Sequence, residues 1–189
     1  GSWGWAGARG FLRAPIRLVC PAAVYVLDYP GYGARGGSPT AESILKAAEE
    51  AYGLLAANGP VYLVSESLGA GPAAHLVRLH GDKVPGILLL VPYNNLPAVA
   101  QRSFPFVPAS WLIFDRYAPD RWLAGYRGAA GFVVAAQDEV IPSYLVRKLF
   151  DVFDGPRKKL WWNDSGHHND VSSQTPVWWR DVFTFWRGN

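Results

Sequence analysis

The chain of 189 residues has no methionine and a single cysteine, Cys20. One cysteine rules out an intrachain disulfide and leaves the redox compartment unmarked. No histidine flanks Cys20 and no strand-to-helix turn surrounds it, so it reads as a packing residue and not a nucleophile. Neither sign of charge prevails: 18 Lys and Arg stand against 15 Asp and Glu, and the longest basic run is Arg157-Lys158-Lys159. A nucleic-acid surface needs denser basic clustering than that, so no nucleic-acid partner is expected. Long apolar runs are missing too. The longest, Ile87 to Tyr93, is broken by Pro92 and is far too short to cross a bilayer. Residues 1–12 lack the basic-then-apolar order of a secretory leader. With no methionine to start it, the chain is expected to begin inside a longer protein, cytoplasmic or membrane-peripheral in preference to secreted.

Half of the residues are apolar, which suits a globular domain with a core of its own and excludes a disordered chain. There are nine tryptophans, several of them late in the chain, where Trp161, Trp162, Trp178, Trp179, Phe183, Phe185 and Trp186 gather. Large rings on a strand and a helix packing against a sheet account for such a cluster. A surface meeting lipid or another subunit is the alternative, which leaves membrane association open.

Five segments read as buried strands: Val24 to Tyr29, Val61 to Ser65, Gly86 to Val91, Gly131 to Ala136 and Lys159 to Trp162. They are short and apolar without alternation, as strands covered on both faces are. Helices fall between them. Thr40 can cap one running to about Ala57, with Glu42 in its first turn and Gly59-Pro60 beyond its end. Others are expected from Leu68 to His80, from Ser143 to Phe153 and from Pro176 to Arg187. Strand alternating with helix predicts an α/β domain, a mostly parallel sheet with helices on both faces. No repeat or linker divides residues 1–189, so one domain is expected. Residues 92–128 break the rhythm with five prolines (Pro92, Pro97, Pro105, Pro108 and Pro119) and are expected to form an excursion of short helices over the strand ends, where a substrate would enter.

The chemistry is concentrated at Ser65-Glu66-Ser67-Leu68-Gly69, where an apolar run gives way to a helical one. That is the pattern of a sharp strand-to-helix turn presenting a serine hydroxyl. Small residues two before and two after the serine keep the turn free of Cβ collisions. Ser65 stands where glycine is usual. A serine hydroxyl needs a general base and a third group to orient that base. His167 and His168, in Asp164-Ser165-Gly166-His167-His168-Asn169-Asp170, follow the last expected strand, whereas His75 and His80 lie on the same helix as Ser67. Asp138 follows the strand before that, with Glu139 beside it. A zinc site at Asp164, His167, His168 and Asp170 fits no familiar ligand spacing, so no metal is expected. Gly31, Gly33, Gly36 and Gly37 lack the Lys-Ser/Thr of a phosphate loop and read as a turn.

Taken in order, Asp28-Tyr29-Pro30-Gly31-Tyr32-Gly33, the Ser67 pentapeptide, Gln137-Asp138-Glu139-Val140-Ile141-Pro142 and His168-Asn169-Asp170 resemble the α/β-hydrolase fold. Within it the chain is similar to the small capless serine hydrolases of the α/β-hydrolase domain-containing group. Pro92 to Gln101 and Phe104 to Pro108 also resemble that group. The resemblance implies the order nucleophile, acid, histidine. It selects Ser67, Asp138 and His168, with His167 as the alternative base and Glu139 as the alternative acid. It implies an oxyanion hole formed by the backbone N–H of Leu68 and a second donor near the start of the chain, Ser2 or Trp3. It also implies that the family's first three strands are absent, an N-terminally truncated fold, with Val24–Tyr29 its fourth and a gap between that segment and Val61–Ser65. Either the chain is part of a longer protein or the two strands close on each other. The expected activity is cleavage of a small carboxylic ester or thioester through an acyl-enzyme, with no cofactor. Tyr32, Trp111 and Phe114 are candidates for the pocket wall. An inactive binding module on the same scaffold is the alternative.

Overall fold

Apolar runs bounded by turn residues become strands here where a neighbouring strand supplies hydrogen bonds. The computed structural model describes residues 13–94, 117–171 and 173–188. Among these residues four strands form, β1 (Leu63–Glu66), β2 (Gly86–Leu90), β3 (Ala129–Ala135) and β4 (Lys158–Asn163), paired in the order β1-β2-β3-β4 and parallel throughout. Every residue of β2 and β3 is buried, whereas β1 and β4 are only partly so. The two central strands therefore lack the alternation that a half-exposed strand would show.

The helices are α1 (Arg13–Arg17), α2 (Ala41–Ala56), α3 (Ala70–His80), α4 (Pro119–Trp122), α5 (Ser143–Val152) and α6 (Pro176–Arg187). Helix α2 starts as its sequence predicts. The Thr40 hydroxyl accepts from Ser43 N–H at 3.1 Å, and the Ser43 hydroxyl accepts from Thr40 N–H at 3.1 Å. This reciprocal box satisfies two N–H groups that the first turn leaves over. Thr175 caps α6, accepting from Trp178 N–H at 3.2 Å, and Gly188 ends it with φ +80°. Left-handed backbone there suits glycine.

Two cores lie on the two faces of the sheet. On one, Ile87, Leu89 and Phe132 meet Tyr52 of α2, Ala74 and Val77 of α3, and Leu145 and Leu149 of α5. On the other, Leu88, Leu90 and Val133 meet Trp179, Val182 and Trp186 of α6 and Ile16 of α1. The late aromatic cluster is thus largely packing: Trp179 is wholly buried, although Trp162 remains half-exposed. Cys20 is partly buried with its Sγ 3.7 Å from Arg187 Nη2. Among the described residues no helix is long and apolar enough to cross a membrane.

One expected strand does not form. Val24–Tyr29 runs without joining the sheet, and Tyr25 is largely exposed. Its side chains still behave like a strand's, since Val24 packs on one core and Leu27 on the other. Among the described residues it forms no ladder with β1, β2, β3 or β4. It has not closed onto β1, whose ladder among the described residues is with β2, and Tyr62 and Val64 are more than a third exposed. Apolar composition marks a segment that can enter a sheet; only a neighbour at hydrogen-bonding distance makes it a strand. The short helix α1 was not legible in the sequence, whereas α4 lies within the stretch 92–128 where short helices are expected.

Gly86 opens β2 against α6: a Cβ there would stand 2.5 Å from Trp186 Cδ1. Gly86→Ala should lower the unfolding free energy by about 1–3 kcal/mol, as overpacking does. Urea titration should show a lower midpoint, and Trp186→Phe in the same chain should recover part of it. An unchanged midpoint would mean that Trp186 is not seated against β2.

Candidate active site

Parallel pairing brings the carboxyl ends of all four strands to one edge of the sheet. The last register pairs are Glu66 with Leu90, Leu90 with Val133, and Ala135 with Asn163. Ser67 follows β1 directly, Asp138 lies three residues past β3, and His168 lies five past β4. Strands β1 and β3 have β2 between them, so their axes are separated by roughly 10 Å.

Ser67 begins a 3-10 turn, Ser67–Gly69, that leads into α3. Its φ is +52°, and among the described residues only Val91 shares positive φ without being glycine. Such backbone costs about 1–3 kcal/mol and is held in place by its surroundings. The missing glycine at position 65 is explained by the other end of the turn. A Cβ on Gly69 would stand 3.3 Å from the Ser65 Cβ and 3.6 Å from the Tyr29 hydroxyl. The turn has room for one side chain beneath it, and Ser65 takes that room because Gly69 leaves it free. Leu68 is in the first turn of the helical run, where backbone N–H groups have no intrahelical acceptor.

Asp138 and His168 meet across the ends of β3 and β4. Asp138 Oδ2 lies 2.8 Å from His168 Nδ1, with side-chain exposures of 0% and 3%. The other oxygen, Oδ1, accepts from Val140 N–H at 2.8 Å and Ile141 N–H at 2.7 Å. An ionised carboxylate only accepts, so the proton between the two groups sits on Nδ1 and is donated to Asp138. His167 turns the other way. Its Nδ1 lies 2.8 Å from Glu139 Oε1, with exposures of 56% and 65%. The two histidines that the sequence left as alternatives therefore have separate partners, one pair sealed and one in solvent. His75 and His80 are engaged elsewhere: His75 Nε2 lies 2.6 Å from Glu49 Oε1, and His80 stacks on Tyr52 with centroids 4.1 Å apart.

Two tyrosines that sequence reasoning passed over as site residues support the turn. Tyr93 donates to Leu68 O at 3.3 Å, and burial, helped by nearby Tyr117, holds its hydroxyl far above the ordinary phenol value. Burial, helped by Tyr32, pushes the Tyr29 hydroxyl up to about 12. Both stay protonated, and so remain donors, across the neutral range. Only their positions, after one apolar run and at the end of another, pointed to them. Tyr32 stands edge-on to Tyr29 at 6.2 Å. Ser2, Trp3, Trp111 and Phe114 lie outside the described residues, as does much of the expected excursion at 92–128. Its returning end is seated on α3, where Tyr117 covers Gly71 and Trp122 meets His75 edge-on at 5.5 Å. The glycine-rich stretch is a turn, as expected: Gly31 N–H bonds Arg35 O at 3.1 Å, and Gly31, Gly33 and Gly37 have positive φ.

No protein-family model matches the chain. It is 24% identical over 164 residues to an uncharacterized membrane protein of Saccharomyces cerevisiae, covering 82% of this chain and 58% of that one. It is 29% identical over 149 residues to the lysophosphatidylserine lipase ABHD12 of Gallus gallus, covering 68% of this chain and 39% of that protein. The chain thus spans less than two thirds of the length of either relative. Among solved structures, a monoacylglycerol lipase of Paleococcus ferrophilus superposes with a TM-score of 0.67 at 17% identity, over 100% of this chain and 89% of the lipase. The parallel sheet, its helices on both faces and these likenesses identify the fold as that of the α/β-hydrolases.

Relief of the strain at position 67 is measurable. Ser67→Gly should raise the unfolding free energy by about 0.5–1 kcal/mol, glycine's own entropy cost offsetting part of the gain. A lower urea midpoint in that variant would mean that the turn is not strained at Ser67.

Proposed function

We propose that the protein is a serine hydrolase acting on carboxylic esters or thioesters. The observation that carries this reading is the sealed Asp138–His168 pair at the same sheet edge as a serine held at φ +52°. Asp138 keeps the His168 proton on Nδ1, which leaves Nε2 to take a proton from Ser67. The serine oxygen then adds to the acyl carbon, and His168 returns the proton to the leaving alcohol or thiol. A water molecule, deprotonated by His168 in turn, releases the acid and restores Ser67. Leu68 N–H is the proposed donor to the developing oxyanion, with the second donor assigned to Ser2 or Trp3. No step calls for a cofactor or a metal. Likeness to a monoacylglycerol lipase and to a lysophosphatidylserine lipase supports an ester of modest size as the substrate class.

Ser67→Ala should abolish labelling by a fluorophosphonate probe. Ser67→Ala and His168→Ala should each lower turnover of a short p-nitrophenyl ester by a factor on the order of 10⁴ to 10⁶, and together by little more. Labelling that survives in Ser67→Ala would place the nucleophile elsewhere. A folded, full-length protein with no turnover and no labelling would favour a binding module.

A further inference from the structure

The loops after β3 and β4 meet almost residue by residue. Ala136 N–H donates to Asn163 O at 2.9 Å, and Gln137 N–H donates to Gly166 O at 3.0 Å. Gln137 Nε2 reaches Asp164 O at 3.3 Å. Next come the two carboxylate–imidazole pairs, Asp138 with His168 and Glu139 with His167, each at 2.8 Å. Consecutive acids on one loop hold consecutive histidines on the other. The outer histidine is held by its main chain as well, His167 N–H donating to Asp170 Oδ1 at 2.8 Å.

This arrangement constrains His168 from outside. His167 and His168 share a peptide bond, so a backbone rotation that releases one ring from its carboxylate also swings the other. An exposed ion pair adds little to the stability of the whole protein. Its effect falls instead on the neighbouring imidazole, where misplacement by about an ångström is costly to catalysis. Resting on the triad reading above, we propose that Glu139 and His167 form an outer clamp that positions His168 without touching substrate.

The clamp has a pH window. The charged groups facing His167 are Glu139, from the loop after β3, and Asp170, from its own loop. The hydrogen bond to Glu139 is the main cause that raises His167 above the ordinary imidazole value, and Asp170 adds to it. Glu139 is lowered, first by its own backbone N–H and then by the bond to His167. A raised histidine contributes fully below its unfolded value and loses that contribution as pH rises through its folded value. A lowered carboxylate does the reverse, losing its contribution as pH falls through its folded value. The clamp is therefore tightest between those limits, and on the alkaline side it weakens when His167 loses its charge.

Two readouts on the full chain test this. The first is the downfield NMR signal of His168 Nδ1–H, which does not depend on turnover. The second is kcat against pH with a p-nitrophenyl ester. In the native protein the signal should persist until His167 titrates and then broaden, while kcat falls about two- to fivefold and KM stays level. Glu139→Gln should bring both changes to lower pH, and Glu139→Asp should restore part of the native profile. Superimposable His168 signals and kcat profiles in the native protein and Glu139→Gln would overturn the clamp. That result beside intact Ser67 labelling leaves the hydrolase reading standing. A His168 signal that follows His167 titration in a protein whose Ser67 never labels supports the clamp and sinks the hydrolase reading.

Discussion

Parallel pairing of β1 to β4 is the constraint on which the rest of the site depends. It runs every strand in one direction, so each hands its following loop to the same edge of the sheet. Residues 67, 138 and 168 are far apart in the chain, and their loops share that edge because Glu66, Leu90, Val133, Ala135 and Asn163 are kept in register by main-chain hydrogen bonds. The two central strands are buried on both faces, which makes a one-residue slip costly. The site inherits the stiffness of that ladder.

Around this frame, steric and electrostatic requirements divide between the two halves of the site. The Ser67 side is governed by space: Ser65 beneath the turn, Gly69 without a Cβ, and the Tyr29 hydroxyl filling what remains. The histidine side is governed by polar satisfaction. Asp138 is sealed from water, yet it accepts two backbone N–H groups and faces an imidazole, so its buried charge has partners. Glu139 and His167 repeat the same contact in solvent, where it orients without a heavy desolvation cost.

Much of this was legible in the sequence, for reasons that differ between elements. Thr40 and the elbow glycine, Gly69, are local signals whose geometry is complete within a few residues. Strands β2 and β3 were legible because burial on both faces leaves an unbroken apolar run. Val24–Tyr29 carries the same kind of run and failed to become a strand, because pairing is a property of two segments and composition describes one. Helix α1, of five residues, is too short for a period to show, and α4, of four, was foreshadowed only by the prolines of 92–128. Tyr29 and Tyr93 look like ordinary aromatics until the turn that they support is in place.

The sequence by itself determined the capped start of α2, the unbroken apolar runs of β2 and β3, the sharp turn at Ser67, and the presence of acids and histidines on the last two loops. Each follows from neighbours in the chain. Only the tertiary structure decided which histidine meets which acid, because His167 and His168 are adjacent and chemically identical. Burial separates them: one side chain points into the sheet edge, where a carboxylate stands wholly sealed, and the other points into water. Only the fold decided, too, that Val24–Tyr29 would stay outside the ladder that joins β1 to β4. Hydrogen bonds between distant strands depend on which segments come to lie beside each other, and no local pattern encodes that.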